Sequence, residues 1–231
     1  MNFAGNFKYL GSVDTRELRR RVDTLTEEQW SAFEMRQKRY EVHRDTQTIG
    51  LVFNPDFRHS HPTRLPALEI FQDALQPVLA TVAGHYEATD EGQRLTQQYG
   101  LGYFIRATLV RLRAGGTIDP HRDNNFSLVH SHRVHLPVIT NDQVLFTVGS
   151  ETRALAAGEI HEINNRRMHS VRNESAEDRV HFILDFVLPG EMCCCGRRLH
   201  PGTLCSPQAC LATDRLQVPC TCHPEEQDAG G

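Results

Sequence analysis

An α+β fold, with helices first and an antiparallel jelly-roll core after them, is predicted by three observations on this 231-residue sequence. The first 90 residues carry apolar side chains at helical spacing behind recognisable start signals. From residue 103 the pattern changes to short runs rich in β-branched and aromatic residues, separated by Gly, Pro and Asn. All seven cysteines fall between Cys193 and Cys222, which sets a cysteine-dense tail apart from a thiol-free body. The expected division is therefore one domain over residues 1–191, followed by a tail over 192–231. Within the domain, residues 1–100 are expected to be helical and residues 101–190 to form the jelly-roll core.

Each element has its own signal. Asp14 with Glu17, and Thr26 with Gln29, have the spacing of capped helix starts. Trp30, Phe33 and Tyr40 recur at helical spacing and are expected in the core. Ile49–Phe53 reads as a strand. Pro66 opens a third helix with Leu68, Phe71, Leu75, Val78, Leu79 and Val82 on one face, and Pro77 is expected to kink or split it. Strands are expected over Tyr103–Arg113, Arg133–Ile139, Gln143–Val148, Thr152–Leu155, Glu159–Ile163 and Arg179–Val187.

Composition excludes several classes of function. With 39% hydrophobic and 23% charged residues the chain is globular rather than disordered. Its net charge of −4 gives no reason to expect nucleic acid or an anionic membrane as partner. No run approaches the roughly 20 apolar residues of a membrane span. The N-terminal residues lack the basic start and apolar stretch of a secretion signal, so the expected location is the cytoplasm.

The candidate metal site begins at Gly115-Gly116, a turn that leads to His121-Arg122-Asp123. An i, i+2 pair on extended backbone directs both side chains to one side, where imidazole and carboxylate can chelate one ion. With a distant second histidine this makes the two-histidine, one-carboxylate facial triad of non-heme Fe(II) oxygenases. The spacing alone decides nothing, because His43-Arg44-Asp45 has it too, and His85-Tyr86-Glu87 and His223-Pro224-Glu225 offer the glutamate form. Downstream context separates His121 from these. His169 follows after the strands needed to return the chain across a barrel, and Arg179, ten residues beyond it, opens a strand. An arginine there is placed to hold a dicarboxylate by bidentate hydrogen bonds. In a second strand Arg133 and His135 share one face, a costly arrangement inside a barrel unless they meet an anion or a partner.

Residues 103–187 resemble the aspartyl/asparaginyl β-hydroxylase family of Fe(II)/2-oxoglutarate oxygenases. The likeness is carried by Arg111 to Asp123, by Arg133-Val134-His135-Leu136-Pro137, by Gly158 to Asn165 with His169-Ser170-Val171, and by Arg179 to Asp185. The region Arg39 to Thr48 is similar to bacterial members more loosely. The resemblance implies a double-stranded β-helix (the cupin-like jelly roll) with N-terminal helices packed on it. It implies iron held by His121, Asp123 and His169, 2-oxoglutarate gripped at one carboxylate by Arg179, and Arg133 and His135 near the other carboxylate. It also implies a dioxygenase that uses O₂ to hydroxylate an unactivated carbon and releases succinate and CO₂. The animal protein-modifying members lack a carboxylate ligand. Asp123 therefore places the chain nearer small bacterial members, some of which hydroxylate free amino acids, with an Asp or Asn residue of a peptide as the other substrate class. Arg122, Asn124, Asn125, His43, Thr46, Asn164 and Asn165 are candidate substrate contacts.

In the tail, Cys194, Cys205, Cys210, Cys220 and Cys222 are candidate ligands of a zinc ion, with His200 and His223 nearby. The spacing matches no familiar finger, and a ligand-free extension or an iron–sulfur site are the alternatives. A reading from a different class is a metal-binding jelly roll without turnover. Such a protein needs the three ligands but has no use for Arg179, Arg133 and His135 together.

Overall fold

The computed structural model describes residues 3, 5–32, 41–54, 62–123 and 126–191. The expectations for Phe33, Tyr40, Asn124, Asn125, the His223 pair and the zinc-binding tail fall outside these residues. Two antiparallel sheets form the core of the described structure. The larger has seven strands in the order β1-β9-β6-β11-β4-β2-β3, and the smaller has four in the order β5-β10-β7-β8. The strands are β1 (Phe7–Ser12), β2 (Thr46–Phe53), β3 (Thr63–Arg64), β4 (Tyr103–Leu112), β5 (Thr117–His121), β6 (His132–Ile139), β7 (Val144–Val148), β8 (Glu151–Arg153), β9 (Glu159–Ile163), β10 (His169–Asn173) and β11 (Arg179–Val187). The helices are α1 (Arg16–Val22), α2 (Glu27–Ser31), α3 (Leu68–Glu87), α4 (Asp90–Tyr99) and α5 (Phe126–Val129). No helix of the described residues is long and apolar enough to cross a membrane.

Alternation along the central strands builds two apolar layers. On β11, Val180, Phe182, Leu184 and Phe186 face the helices, where Phe182 meets Phe71 of α3 edge to face at 5.8 Å. Leu109, Val134, Leu136 and Ile160 of the neighbouring strands join the same layer, with Leu18 of α1 and Leu75, Val78 and Val82 of α3 above them. The second layer lies between the sheets and contains Leu112, Ile118, Phe146, Val148, Ile163 and Val171. Burying a side chain of this size stabilises by about 1.5–3 kcal/mol, so the sandwich needs no covalent staple.

Of five local expectations, three change and two hold. The N-terminal region, expected to be mainly helical, contributes three strands to the larger sheet, because β1 pairs with β9 and β2 pairs with β3 and β4. α3 runs as one element through Pro77, since Phe71 and Leu75 before the proline and Val78 and Val82 after it are all buried in the same layer. Thr26 and Gln29 form the reciprocal capping box. Asp14 instead binds the backbone N–H and guanidinium of Arg16, while Glu17 pairs with Arg20 and Arg21, so no side-chain cap forms on α1. Trp30 is buried as expected, with the Arg111 guanidinium over its ring at 4.7 Å.

The outer face of the larger sheet also carries a polar cluster. His132 Nδ1 meets Glu162 at 2.7 Å and Nε2 meets Glu191 at 2.8 Å. Tyr86 of α3 donates to Glu162 at 2.8 Å and stacks on His132 with ring centres 3.9 Å apart. Burial opposes charge on His132, but Glu191 and Glu162 outweigh it and raise its pKa from 6.5 to about 9. Burial likewise opposes charge on Glu191, but His132 helps lower it from 4.5 to about 2. The two shifts set the pH window. The stabilisation from His132 is complete below pH 6.5 and is lost as pH rises through about 9. That from Glu191 is complete above pH 4.5 and is lost as pH falls towards 2. Removing the imidazole leaves two carboxylates buried together, which costs about 3–5 kcal/mol. Denaturant titrations of wild type and His132→Gln should differ by that amount near pH 6 and converge as pH passes 9; a difference independent of pH contradicts the ion cluster.

Candidate iron and cosubstrate site

The Gly115-Gly116 turn does what the sequence requires of it. Gly115 adopts φ +66, a conformation in which a side chain is strained, and sends the chain from β4 of the larger sheet into β5 of the smaller. β5 then pairs with β10 so that His121 stands directly opposite His169. Asp123 lies two residues beyond His121, and its N–H donates to the Asn165 carbonyl at 3.1 Å. One ligand atom from each of His121, Asp123 and His169 lies within 4.8 Å of the others, the only such group found among the described residues.

Each histidine is held ready to coordinate. His121 Nδ1 lies 2.8 Å from the Asp119 carbonyl, and His169 Nδ1 lies 3.0 Å from the Arg167 carbonyl. A carbonyl only accepts, so Nδ1 carries the proton in both rings and Nε2 presents its lone pair. Burial, reinforced by His121, lowers the His169 pKa to about 4 against the opposing pull of Asp123, so the ring is neutral at physiological pH. Asp123 Oδ2 is braced by Arg133 Nη1 at 3.2 Å and by Asn165 Nδ2 at 3.4 Å. Two imidazoles and one carboxylate on one side are the donor set of a divalent iron site with open positions, and the residues present fit that ion.

Arg133 and His135 face the interior between the sheets, as their strand alternation predicts, but their surroundings differ. Arg133 forms a bidentate pair with Asp185, both contacts at 3.0 Å, besides its bond to Asp123. Asp185 and Arg133 are partners across β11 and β6, and Arg106 of β4 approaches the same carboxylate at 3.8 Å. Arg106 also donates to Asn54 at 2.6 Å and to Ser127 at 3.3 Å. His135, by contrast, is buried with no hydrogen-bond partner at either ring nitrogen among the described residues. Its ring packs edge to face on Phe146 at 5.0 Å, and Phe146 lies 6.5 Å from His169. Burial, then the charges of Arg179 and Arg133, hold its pKa well below 6.5. Arg179 is the largest fully buried side chain among the described residues, and its Nη2 donates to His181 Nδ1 at 2.6 Å.

These residues also fit 2-oxoglutarate. The buried groups just named hold three guanidinia against two carboxylates, and a divalent cation would add two further positive charges. A dianion offsets that excess, and a neutral imidazole with an unsatisfied N–H offers it a hydrogen bond.

The remaining candidates separate by role. His43 is buried, with its ring 5.3 Å from that of His121, so this histidine of the competing H-x-D motif belongs to the site's surroundings. Its Asp45 accepts from the Thr117 N–H at 3.0 Å and pairs with Arg113, which fixes the start of β5. Thr46 donates to the His43 carbonyl at 2.8 Å, and Asn164 donates to the carbonyls of Phe3 and Gly5. Both have structural work. Asn165 supports Asp123, and Arg122 is half-buried beside it. Sequence reasoning missed Asp185, Arg106 and His181. The signal for two of them was present: Arg179, His181, Ile183 and Asp185 alternate with Val180, Phe182 and Leu184, so one face of an interior strand is mostly polar.

Residues 90–189 match the family model described as aspartyl/asparaginyl beta-hydroxylase. No curated relative matches the sequence. Among solved structures the chain is similar to an oxidoreductase of the 2OG-Fe(II) oxygenase family from Burkholderia pseudomallei, at 16% identity over 68% of this chain and 74% of that one, with a TM-score of 0.48. It is also similar to the viral collagen prolyl hydroxylase vCPH from Paramecium bursaria Chlorella virus-1, at 6% identity over 79% of this chain and 96% of that one, with a TM-score of 0.45. A cupin domain from Bordetella pertussis aligns at 23% identity over 36% of this chain and 82% of that one, with a TM-score of 0.29. Likenesses this distant carry no argument for the reaction, which rests on the family match and the ligand geometry. The stretch 90–189, which carries the candidate ligand triad, the inward-facing arginines and every strand of the smaller sheet, is the part of the chain that is similar to the aspartyl/asparaginyl β-hydroxylase family.

Proposed function

We propose that the protein hydroxylates an unactivated carbon of a free amino acid, or of an Asp or Asn residue in a peptide. The observation that carries this reading is the ligand triad set beside His135, a buried imidazole without a partner among the described residues, in the field of Arg133 and Arg179. Bound iron with 2-oxoglutarate and O₂ would supply the oxidising power, putting one oxygen atom into the C–H bond and the other into succinate as CO₂ leaves.

The chain's own residues bind, orient and shield. His121, Asp123 and His169 would hold the iron on one side and leave the other side open. Arg179 would take the far carboxylate of 2-oxoglutarate by charge-assisted hydrogen bonds. His135 would donate to a cosubstrate oxygen nearer the metal. Arg133, already shared between Asp185 and Asp123, orients the carboxylate ligand and adds positive potential for the anionic cosubstrate. Phe146, packed between His135 and His169, keeps this region of the interior dry. His43 and Arg122, which flank the triad, are the side chains best placed to meet the amino-acid substrate.

Two measurements test these roles. A hydrogen bond to a charged group contributes about 1.5–3 kcal/mol, so Arg179→Ala should raise the 2-oxoglutarate concentration for half-maximal succinate formation by about 10- to 100-fold. Unchanged cosubstrate dependence would contradict the assignment. For the metal, His169→Ala should lose specific Fe(II) binding. Asn165→Ala, which loosens only the support of Asp123, should weaken it by about 10- to 100-fold. Equal Fe(II) affinity in wild type and both variants, measured under anaerobic conditions, places the ion elsewhere.

A further inference from the structure

We infer that His181 is a positioning residue for the cosubstrate. It fixes the Arg179 guanidinium in the orientation that receives a carboxylate, and this role rests on the 2-oxoglutarate reading above. Both residues lie on the inward face of β11, two positions apart, and both are almost completely buried. Arg179 Nη2 lies 2.6 Å from His181 Nδ1. A guanidinium has no lone pair to offer, so Nδ1 must be the acceptor and His181 must be neutral, with its proton on Nε2. Burial and the adjacent Arg179 charge favour the same neutral form.

The choice of partner has a physical consequence. Arg133 is held by carboxylates, which offset its charge as they orient it. The neutral imidazole of His181 orients Arg179 by a hydrogen bond and itself adds no negative charge beside the guanidinium. An arginine side chain loses rotamer entropy when it is fixed on a ligand, and a guanidinium already held by its neighbour loses less of it when the anion binds. His181 Nε2 has no hydrogen-bond partner among the described residues, and its ring stands 5.9 Å from that of His135, edge to face. Two neutral imidazoles and a guanidinium therefore stand together between the sheets, a group that favours a carboxylate over a neutral ligand. An apolar residue at position 181 would pack as well against Val110 and Pro137, its cross-strand neighbours, but it would accept no hydrogen bond from Arg179.

The test is steady-state kinetics in the iron-loaded, full-length protein, with 2-oxoglutarate as the varied ligand and succinate as the readout. His181→Phe removes the acceptor, and His181→Asn keeps an acceptor on a smaller side chain. The expected result is a KM for 2-oxoglutarate raised about tenfold in His181→Phe, with kcat and Fe(II) affinity within about twofold of wild type and most of the loss recovered in His181→Asn. Because His181 acts through Arg179, adding His181→Phe to Arg179→Ala should cause little further loss. A wild-type KM in His181→Phe overturns the inference, as does a full additional loss in the double variant. If His181→Phe does not fold, a KM in His181→Asn further than about threefold from wild type overturns it instead. A wild-type protein that does not respond to 2-oxoglutarate overturns the functional reading and this inference together, whereas a normal response in wild type with loss only in Arg179→Ala overturns this inference alone.

Discussion

Charge buried between two sheets has to be balanced where it lies, and this constraint organises the site. The inner face of the larger sheet carries Arg106, Arg133 and Arg179 among apolar neighbours. Burying an uncompensated charge costs several kcal/mol, so each guanidinium dictates what stands near it. Asp185 lies in register with Arg133 and within reach of Arg106, and it anchors both. The remaining Nη1 of Arg133 reaches Asp123, so the carboxylate of the proposed triad is tied to the charge balance of the sheet rather than to its own loop alone. The order of dependence thus runs from the β6–β11 register to Arg133, and from Arg133 to the orientation of the Asp123 carboxylate.

The two faces of the larger sheet solve the same problem separately. Outward, His132 takes two carboxylates and is closed off by Tyr86, and the cluster fastens Glu191, the last described residue, to the sheet. Inward, the neighbouring positions of β6 supply Arg133 and His135 to the site. Alternation along one strand therefore gives β6 a structural ion cluster on one side and the proposed binding groups on the other. A metal-binding jelly roll without turnover accounts for the triad, but it gives no purpose to His135 and Arg179 set together beside it.

Much of this was legible in the sequence because the relevant patterns are local. Period-two alternation marks β9 and β11 with their observed ends, and the Thr26–Gln29 spacing gives the capping box. The triad was legible only in combination, since the H-x-D spacing also occurs at His43. The structure places the His43 ring 5.3 Å from that of His121, while the ligand atoms that converge are those of His121, Asp123 and His169. What stayed hidden depends on pairing over long separations. β1 shows no strong strand signal and is a strand because it completes the edge beside β9. His132 reads as one more histidine until the fold brings Glu162 and Glu191 to its two nitrogens. Arg106 sits in a run that otherwise reads as plain core, and only the register with Asp185 explains its charge.

The central claim is that the His121, Asp123 and His169 triad and the neighbouring buried arginines form one site that takes iron and a dicarboxylate together. The most direct test is an anaerobic titration of the metal-free protein with Fe(II) and then with 2-oxoglutarate, followed by visible absorption. Chelation of the metal by the 2-oxo acid should produce a weak charge-transfer band that is absent with Fe(II) alone, saturates at about one equivalent of each, and is missing in His121→Ala. A folded, iron-loaded protein that shows no band on addition of 2-oxoglutarate would contradict it.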